Sequence, residues 1–221
     1  ATSSTVAGTY VATGGNQIST VAATWESTRV LEPYVFLDSV TGLYTMFYMG
    51  DTDNGTGEQV GYATSSSPTG PWTKYAGNPV LAFGASGTYD AGTIADPYVY
   101  QMGGLYYVFY ACSPTSSGWN TCLATTPDLI NFTKIGLMFW QGVSGAWDAT
   151  SPHRGAVSRF GDTYYIPYAG HGAAGNYAVG MATQTAKSSA AGYPPFQIFG
   201  FYDDFSEAAL EDMAILTMGM V

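Results

Sequence analysis

Three side chains with acid–base or ion-pairing chemistry occupy one repeated position of the sequence. Glu32, Asp96 and Arg154 each head a β-type run, six residues after an acidic residue. Two carboxylates in one cleft can divide the work of bond cleavage, because one protonates a leaving oxygen while the other attacks or activates water. The guanidinium cannot be the acid, but it can bind a hydroxyl or carboxylate group, or hold a neighbouring Asp ionised.

The acid that precedes each of these heads is constant, whereas the head itself varies. The constant aromatic–acid pairs are Trp25-Glu26, Tyr89-Asp90 and Trp147-Asp148, and Asp212 falls at the matching position near the end of the chain. An acid present in every copy is expected to be structural, for example by accepting backbone N–H groups at a turn. The varying heads are the positions that a site would shape. Alternatively, they only solvate a water-filled channel.

The elements that position the heads also recur. Each head is followed by short β-type runs such as Leu105-Tyr-Tyr-Val-Phe-Tyr110, joined by turns rich in Gly, Asp and Asn. Up to four strands in about 60 residues is typical of a propeller blade. The sequence therefore predicts an all-β fold, a β-propeller of four-stranded antiparallel blades. The predicted strands are 31–38, 43–50, 58–66, 94–102, 105–113, 120–126, 152–160, 163–170 and 177–185.

The repeat divides residues 1–221, interpreted as one incomplete propeller domain, into successive parts. Residues 1–21 are predicted to be a strand or linker, and the three full blades are 22–82, 83–139 and 140–201. Residues 202–221 are predicted to begin a further blade, because Leu210–Val221 aligns without gaps on Ala146–Val157. A coincidental match over these twelve residues is the alternative.

Composition limits the partners and the location. A net charge of −10 with only 6 Lys+Arg argues against nucleic acid, whose binding needs clustered basic residues. No apolar run approaches the roughly 18 residues of a membrane span, so membrane insertion is not expected. Low Lys with abundant Ser and Thr favours an extracellular or secreted protein, with a virion surface as the alternative.

Two further features bear on covalent and metal chemistry. Cys112 and Cys122 can form a cross-strand disulfide if their flanks pair, or they remain two free buried thiols. The oxygens of residues 51–58 resemble a calcium loop, but Gly falls at the fifth position where an EF-hand needs it at the sixth. A hairpin loop with solvated acids is the favoured interpretation, with a Ca²⁺ site as the alternative, and no cofactor is expected.

Several short strings together resemble a known group of enzymes. They are similar to strings in the five-bladed propeller glycoside hydrolases, which include arabinanases, β-xylosidases and invertases or levanases. The strings are Asp96-Pro97-Tyr-Val, the run ending at Tyr110, Gly70-Pro71-Trp72 and Asn78-Pro79-Val-Leu81. The resemblance covers residues 22 to about 201. It implies a five-bladed ring, of which this chain holds three full blades and the start of a fourth. It also implies a polysaccharide or oligosaccharide partner.

The resemblance implies catalytic carboxylates at the blade heads, namely a base or nucleophile, a general acid and an Asp that tunes the acid. Asp96 matches the axial Asp of the family, and Glu32 resembles either an axial acid or the general acid of its Glu-x-Pro motif with one residue missing. His153 and Arg154 stand where an acid is expected, so Glu32 and Asp96 alone are not expected to make a complete hydrolytic pair. The residues assigned to substrate binding are Arg154, His153, Tyr34, Tyr98 and Trp147.

The sequence thus predicts an extracellular carbohydrate-active protein that resembles a glycoside hydrolase acting on plant or microbial polysaccharide. The alternative is a non-catalytic glycan-binding or surface module on the same scaffold, and the sequence leaves open whether the protein is an enzyme.

Overall fold

The computed structural model describes residues 15–53, 57–115, 118–139, 141–172 and 175–185. Within these ranges the chain forms strands and no helix, which confirms the all-β prediction. Residues 202–221, the predicted start of a further blade, lie outside the described residues. The strands are β1 (Arg29–Leu37), β2 (Tyr44–Asp51), β3 (Gln59–Ser65), β4 (Thr73–Lys74), β5 (Thr93–Met102), β6 (Leu105–Ser113), β7 (Asn120–Thr126), β8 (Thr133–Phe139), β9 (Ser158–Phe160), β10 (Thr163–His171) and β11 (Tyr177–Thr185).

The strands form three antiparallel sheets in chain order. The first two sheets have the orders β1-β2-β3-β4 and β5-β6-β7-β8, and the third has the order β11-β10-β9. Each sheet lies within one of the three predicted repeats, and the first strands of the first two sheets carry Glu32 and Asp96. Strand β5 contacts β1, β2 and β3, so the second sheet packs across the first as neighbouring propeller blades do.

The first strand of the third blade is shorter than predicted. The continuous strand predicted over residues 152–160 is wrong, because only Ser158–Phe160 pairs as a strand and His153 forms an isolated bridge with Ala169. Arg154 lies between these two points with a φ of 60°, a left-handed conformation outside the β region. The alternation of apolar residues did not reveal this break.

The central strand of the second blade is buried on both faces. Tyr106, Val108 and Tyr110 pack in the cluster shared with the first blade, whereas Tyr107 and Phe109 pack in the cluster shared with the third. Successive side chains of a strand point to opposite faces, so a strand covered on both sides must be apolar at nearly every position. This explains the uninterrupted apolar run and the face-to-face packing of the blades.

The aromatic–acid pairs have a packing role in the first and third blades. In both blades the tryptophan lies against two glycines of the second and third strands, and a Cβ on any of these glycines would come within 3.0 Å of the indole. The contacts are Trp25 with Gly50 and Gly61, and Trp147 with Gly170 and Gly180. Glycine is required here because only a backbone without a side chain leaves room for the ring.

The second blade fills the equivalent space with different residues. Its aromatic residue is the smaller Tyr89, and Cys112 and Cys122 occupy the positions equivalent to the two glycines. The two cysteines form a disulfide with a Cα–Cα distance of 5.9 Å, and Tyr89 packs against the cluster that contains them. The disulfide predicted as one of two alternatives is therefore confirmed, and it fills space that an indole takes in the other blades.

Removing this disulfide is expected to destabilise the protein. Replacing Cys112 and Cys122 with Ala should lower the free energy of unfolding by about 2–3 kcal/mol, the chain-entropy value for a cross-link closing so short a loop. Denaturant unfolding of the oxidised and double-variant proteins measures the difference. A variant with both cysteines changed to Gly and Tyr89→Trp, which copies the other blades, should recover part of the loss. Equal midpoints for the oxidised protein and the Ala variant would contradict the prediction.

Candidate functional site

The three blade heads share an uncommon backbone conformation. Glu32, Asp96 and Arg154 have φ values of 56°, 49° and 60°, in the left-handed region that non-glycine residues rarely adopt. In β1 and β5 the pairing register shifts at this point, which marks a β-bulge in each strand. Pro33 and Pro97 lie in the two bulges, where a missing N–H leaves no ladder bond unmade. Such bulges re-aim side chains, and strain of this kind concentrates at functional sites.

The structure brings the three heads into contact across successive blades. The backbone N–H of Asp96 donates to Oε2 of Glu32 at 2.8 Å. Nε of Arg154 donates to Oδ2 of Asp96 at 2.9 Å and forms an ion pair with it. Glu32, Asp96 and Arg154 therefore form one continuous polar chain, which we call the axial triad.

The two acids of the axial triad have different electrostatic environments. Burial, followed by the negative charge of Asp96, raises the pKa of Glu32 to about 7, against the opposing effects of the Asp96 N–H and the Arg154 charge. The bond to Asp96 raises the pKa of Arg154, which therefore stays a cation. Because Oε2 of Glu32 already accepts an N–H, the proton of the acid form resides on Oε1. Near neutral pH, Glu32 can therefore donate a proton beside Asp96, which is ion-paired with Arg154.

A buried ionic network lies behind the axial triad. Oε2 of Glu58 accepts the hydroxyl of Thr93 at 2.7 Å, and Arg29 bridges Glu58 and Asp51. Burial raises the pKa of Glu58, and the charge of Glu58 adds to the elevation of the pKa of Glu32. Asp51 and Glu58, which end the segment compared with a calcium loop, thus bind a guanidinium. No group of side chains suited to a metal ion occurs among the described residues.

The constant acids of the repeat lie apart from the triad and make structural contacts. Glu26 and Asp90 are buried and form ion pairs with the lysine of the fourth strand of their own blade, at 2.7 Å and 2.5 Å. Asp148 accepts the hydroxyl of Tyr168 at 2.9 Å. These contacts tie the entry of each blade to its later strands, as expected of structural acids. The lysines are Lys74 and Lys134.

A cavity of about 600 Å³ opens beside the cationic end of the axial triad. It lies between the loop that precedes β7, the head of the third blade and the loop between β10 and β11. The residues that define its chemistry are Trp119, Ser151, His153, Arg154, His171 and Tyr177. Two of the predicted substrate-binding residues, His153 and Arg154, are among them.

The aromatic residues that were predicted to bind substrate lie outside the cavity. Tyr34 packs on Tyr98 with ring centroids 4.6 Å apart, and the hydroxyl of Tyr98 donates to the carbonyl of Val157 at 2.7 Å. Trp147 lies against the glycines of its own blade, and none of these three rings lines the cavity. Trp119 and Tyr177 line it instead. Trp119 could have been singled out in the sequence as an aromatic residue within the Ser- and Gly-rich stretch that follows β6.

Comparisons with known proteins connect this arrangement to a class of enzymes by fold. Neither family models nor curated protein sequences match the chain. Among solved structures, a glycoside hydrolase is similar at 26% identity with a TM-score of 0.57, covering 78% of this chain. A family 117 glycoside hydrolase from the marine bacterium Zobellia galactanivorans (18% identity, TM-score 0.57) covers 70%, and a beta-fructofuranosidase of Bombyx mori (18%, 0.54) covers 71%.

The alignments cover these proteins only in part. They take in 51% of the first glycoside hydrolase, 50% of the family 117 enzyme and 34% of the beta-fructofuranosidase. The described residues contain no helix long and apolar enough to cross a membrane. The chain therefore has the fold of the propeller-type glycoside hydrolases, and it spans about half the length of the first two matched structures.

Proposed function

We propose that this chain carries acid–base residues of a glycoside hydrolase, with Glu32 as the general acid and Asp96 as its anionic partner. The observation that carries the proposal is the separation of the two acids. Glu32 has a pKa raised to about 7, while Asp96 is ion-paired with Arg154. Carboxyl groups whose environments push their protonation apart are the usual acid–base pair of glycosidic cleavage.

The roles follow from the atoms. The proton on Oε1 of Glu32 transfers to the glycosidic oxygen as the bond to the anomeric carbon breaks. The negative charge of Asp96 stabilises the positive charge that develops on the sugar ring. The group that attacks the anomeric carbon or activates water lies outside this pair, because Glu32 and Asp96 alone do not make a complete hydrolytic pair. Arg154 fixes the orientation of Asp96 through Nε. The left-handed backbone at all three positions fixes the groups before substrate binds, so little reorganisation is needed in the reaction.

One observation favours the alternative, a non-catalytic glycan-binding module. Arg154 stands at the third head, where the enzymes it resembles carry an acid, and it neutralises part of the charge of Asp96. In that case the axial triad is a polar binding surface for sugar hydroxyls. Both functions need a carbohydrate ligand, and the glycoside hydrolases of the same fold support that ligand class.

A screen of polysaccharides separates the two functions. The complete protein is incubated with plant and microbial polysaccharides, and both binding and the release of reducing ends are measured. We expect release from at least one polysaccharide. Binding without release, unchanged by Glu32→Gln, would replace the enzyme with the binding module. Absence of both binding and release across the screen would overturn the carbohydrate function itself.

We also propose an extracellular location. The disulfide between Cys112 and Cys122 supports it, because structural disulfides persist mainly in oxidising compartments.

A further inference from the structure

We propose that the cavity beside Arg154 binds the anionic group of an acidic sugar, a ring carboxylate or sulfate. The inference rests on the proposed function, since it assumes a carbohydrate ligand, and it adds the chemical class of the sugar.

The first argument is the distribution of charge. The chain has a net charge of −10, and yet the cavity lining contains an Arg and both of the His residues and no described Asp or Glu. In the described part of the chain, the other Lys and Arg side chains are also ion-paired with acids, and none of them lines the cavity. These side chains are Arg29, Lys74, Lys134 and Arg159.

The second argument is the set of donors that Arg154 retains. Its side chain is 58% exposed and binds Asp96 through Nε alone. A guanidinium carries five N–H donors, so the four on its two terminal nitrogens remain for a ligand. Two terminal nitrogens side by side match the two oxygens of a carboxylate or sulfate, and such bidentate pairs are among the strongest hydrogen bonds in proteins.

The third argument concerns the two imidazoles. Nδ1 of His153 lies 3.0 Å from the carbonyl of Ser151, which can only accept, so Nδ1 carries a hydrogen. Thr150 donates its hydroxyl to the carbonyl of His171, so Nδ1 of His171 donates to that hydroxyl oxygen. With Nδ1 carrying the hydrogen, Nε2 of a neutral ring is an acceptor for a sugar hydroxyl. Burial lowers the pKa of His153, which favours this neutral form.

The fourth argument is the aromatic lining. Tyr177 is 75% exposed and stacks on His171 with ring centroids 4.4 Å apart, and Trp119 lines the same cavity. Exposed aromatic faces suit the apolar face of a sugar ring. The cavity thus offers a ring platform, two hydroxyl acceptors and one cationic fork. Because Arg154 also holds Asp96, the acidic sugar would lie next to the bond that is cleaved.

The test compares matched saccharides that differ in one group. Binding to the complete protein is measured by NMR titration for the methyl glycosides of glucuronic, galacturonic and mannuronic acid, each against its neutral glucoside, galactoside or mannoside. Sulfated galactose is compared with galactose to separate the two anion sources. We expect at least one acidic sugar to bind ten-fold or more tightly than its neutral partner. Rising salt should weaken only the acidic ligand.

Variants assign the preference to Arg154. Arg154→Gln should reduce the acidic-to-neutral ratio to about one, while Tyr177→Ala weakens both ligands and keeps the ratio. Thermal unfolding shows that both variants fold. Equal affinity for acidic and neutral sugars, or a preference that survives Arg154→Gln, would overturn this inference but not the proposed function. Failure of every saccharide to bind, together with an inactive polysaccharide screen, would overturn both.

Discussion

Glu32→Gln is expected to lower kcat on natural glycosides by about 10²- to 10⁴-fold, the range that general acid catalysis contributes. Gln keeps the size of the side chain and its oxygen can still accept the N–H of Asp96, but it has no proton to give. Aryl glycosides with good leaving groups need little protonation, so the variant should cleave them at a rate much closer to that of the wild type. This contrast separates a lost proton donor from a damaged site.

The pH dependence gives an independent check on Glu32. The acid form is active, so wild-type kcat/KM should fall as the pH rises through about 7, and the residual activity of Glu32→Gln should lack that fall. An alkaline limb that persists in the variant would assign the titration to another group. Equal losses on natural and aryl glycosides would show that Glu32 is not the acid.

Above pH 7, Glu32→Gln should raise the stability although it lowers the activity. Glu32 has a higher pKa in the folded protein than in the unfolded chain, so the folded protein binds more protons between pH 4.5 and about 7. The free energy of unfolding therefore decreases as the pH rises through this window. Glu32→Gln removes that decrease, and the variant should be more stable than the wild type above pH 7. Its loss of activity would then not be a loss of folding.

The repeated part of this architecture could be predicted from sequence because it depends on local patterns of residues. The short β-type runs, such as the run that forms β6, predicted the strands, and the recurrence of the heads predicted that Glu32, Asp96 and Arg154 lie at one site. The bulges were missed, although a proline directly after Glu32 and Asp96 inside a strand run is itself a bulge signal. The periodicity of apolar residues predicts regular strand pairing, and the axial triad lies where that pairing is irregular.

The cavity could not be predicted because it depends on packing between blades. Trp147 and Trp119 both lie outside the predicted strands, so the sequence does not say what either ring packs against. The difference lies in their partners, since Gly170 and Gly180 provide a bare backbone surface for Trp147. Trp119 instead precedes β7 in a loop next to Ser151, whose hydroxyl accepts its backbone N–H at 3.1 Å. The contact between Trp119 and Ser151 joins residues 32 positions apart and follows no repeat.

Asp96→Asn is expected to lower kcat by about 10²- to 10³-fold, the range for removing one charge-stabilising group from a transition state. Asn tolerates the left-handed backbone at this position, and the lost ion pair is partly exposed, so the stability should change little. Glu26→Gln is the matched control. It removes the charge from a buried ion pair with Lys74, and it should cost on the order of 1–3 kcal/mol in stability while kcat is retained.

The pKa of Glu32 gives a second test of Asp96, because the loss of a merely structural residue would not change that pKa. The charge of Asp96 is one cause of the raised pKa of Glu32, so Asp96→Asn should move that pKa down towards its ordinary value, whereas Glu26→Gln should leave it in place. Carbon NMR of the Glu32 carboxyl group measures this shift directly, without any need for activity. If both variants lose turnover equally with unchanged unfolding, the constant and the varying acids have been assigned to the wrong roles. If the pKa of Glu32 stays near 7 in Asp96→Asn, the two acids do not act as a pair.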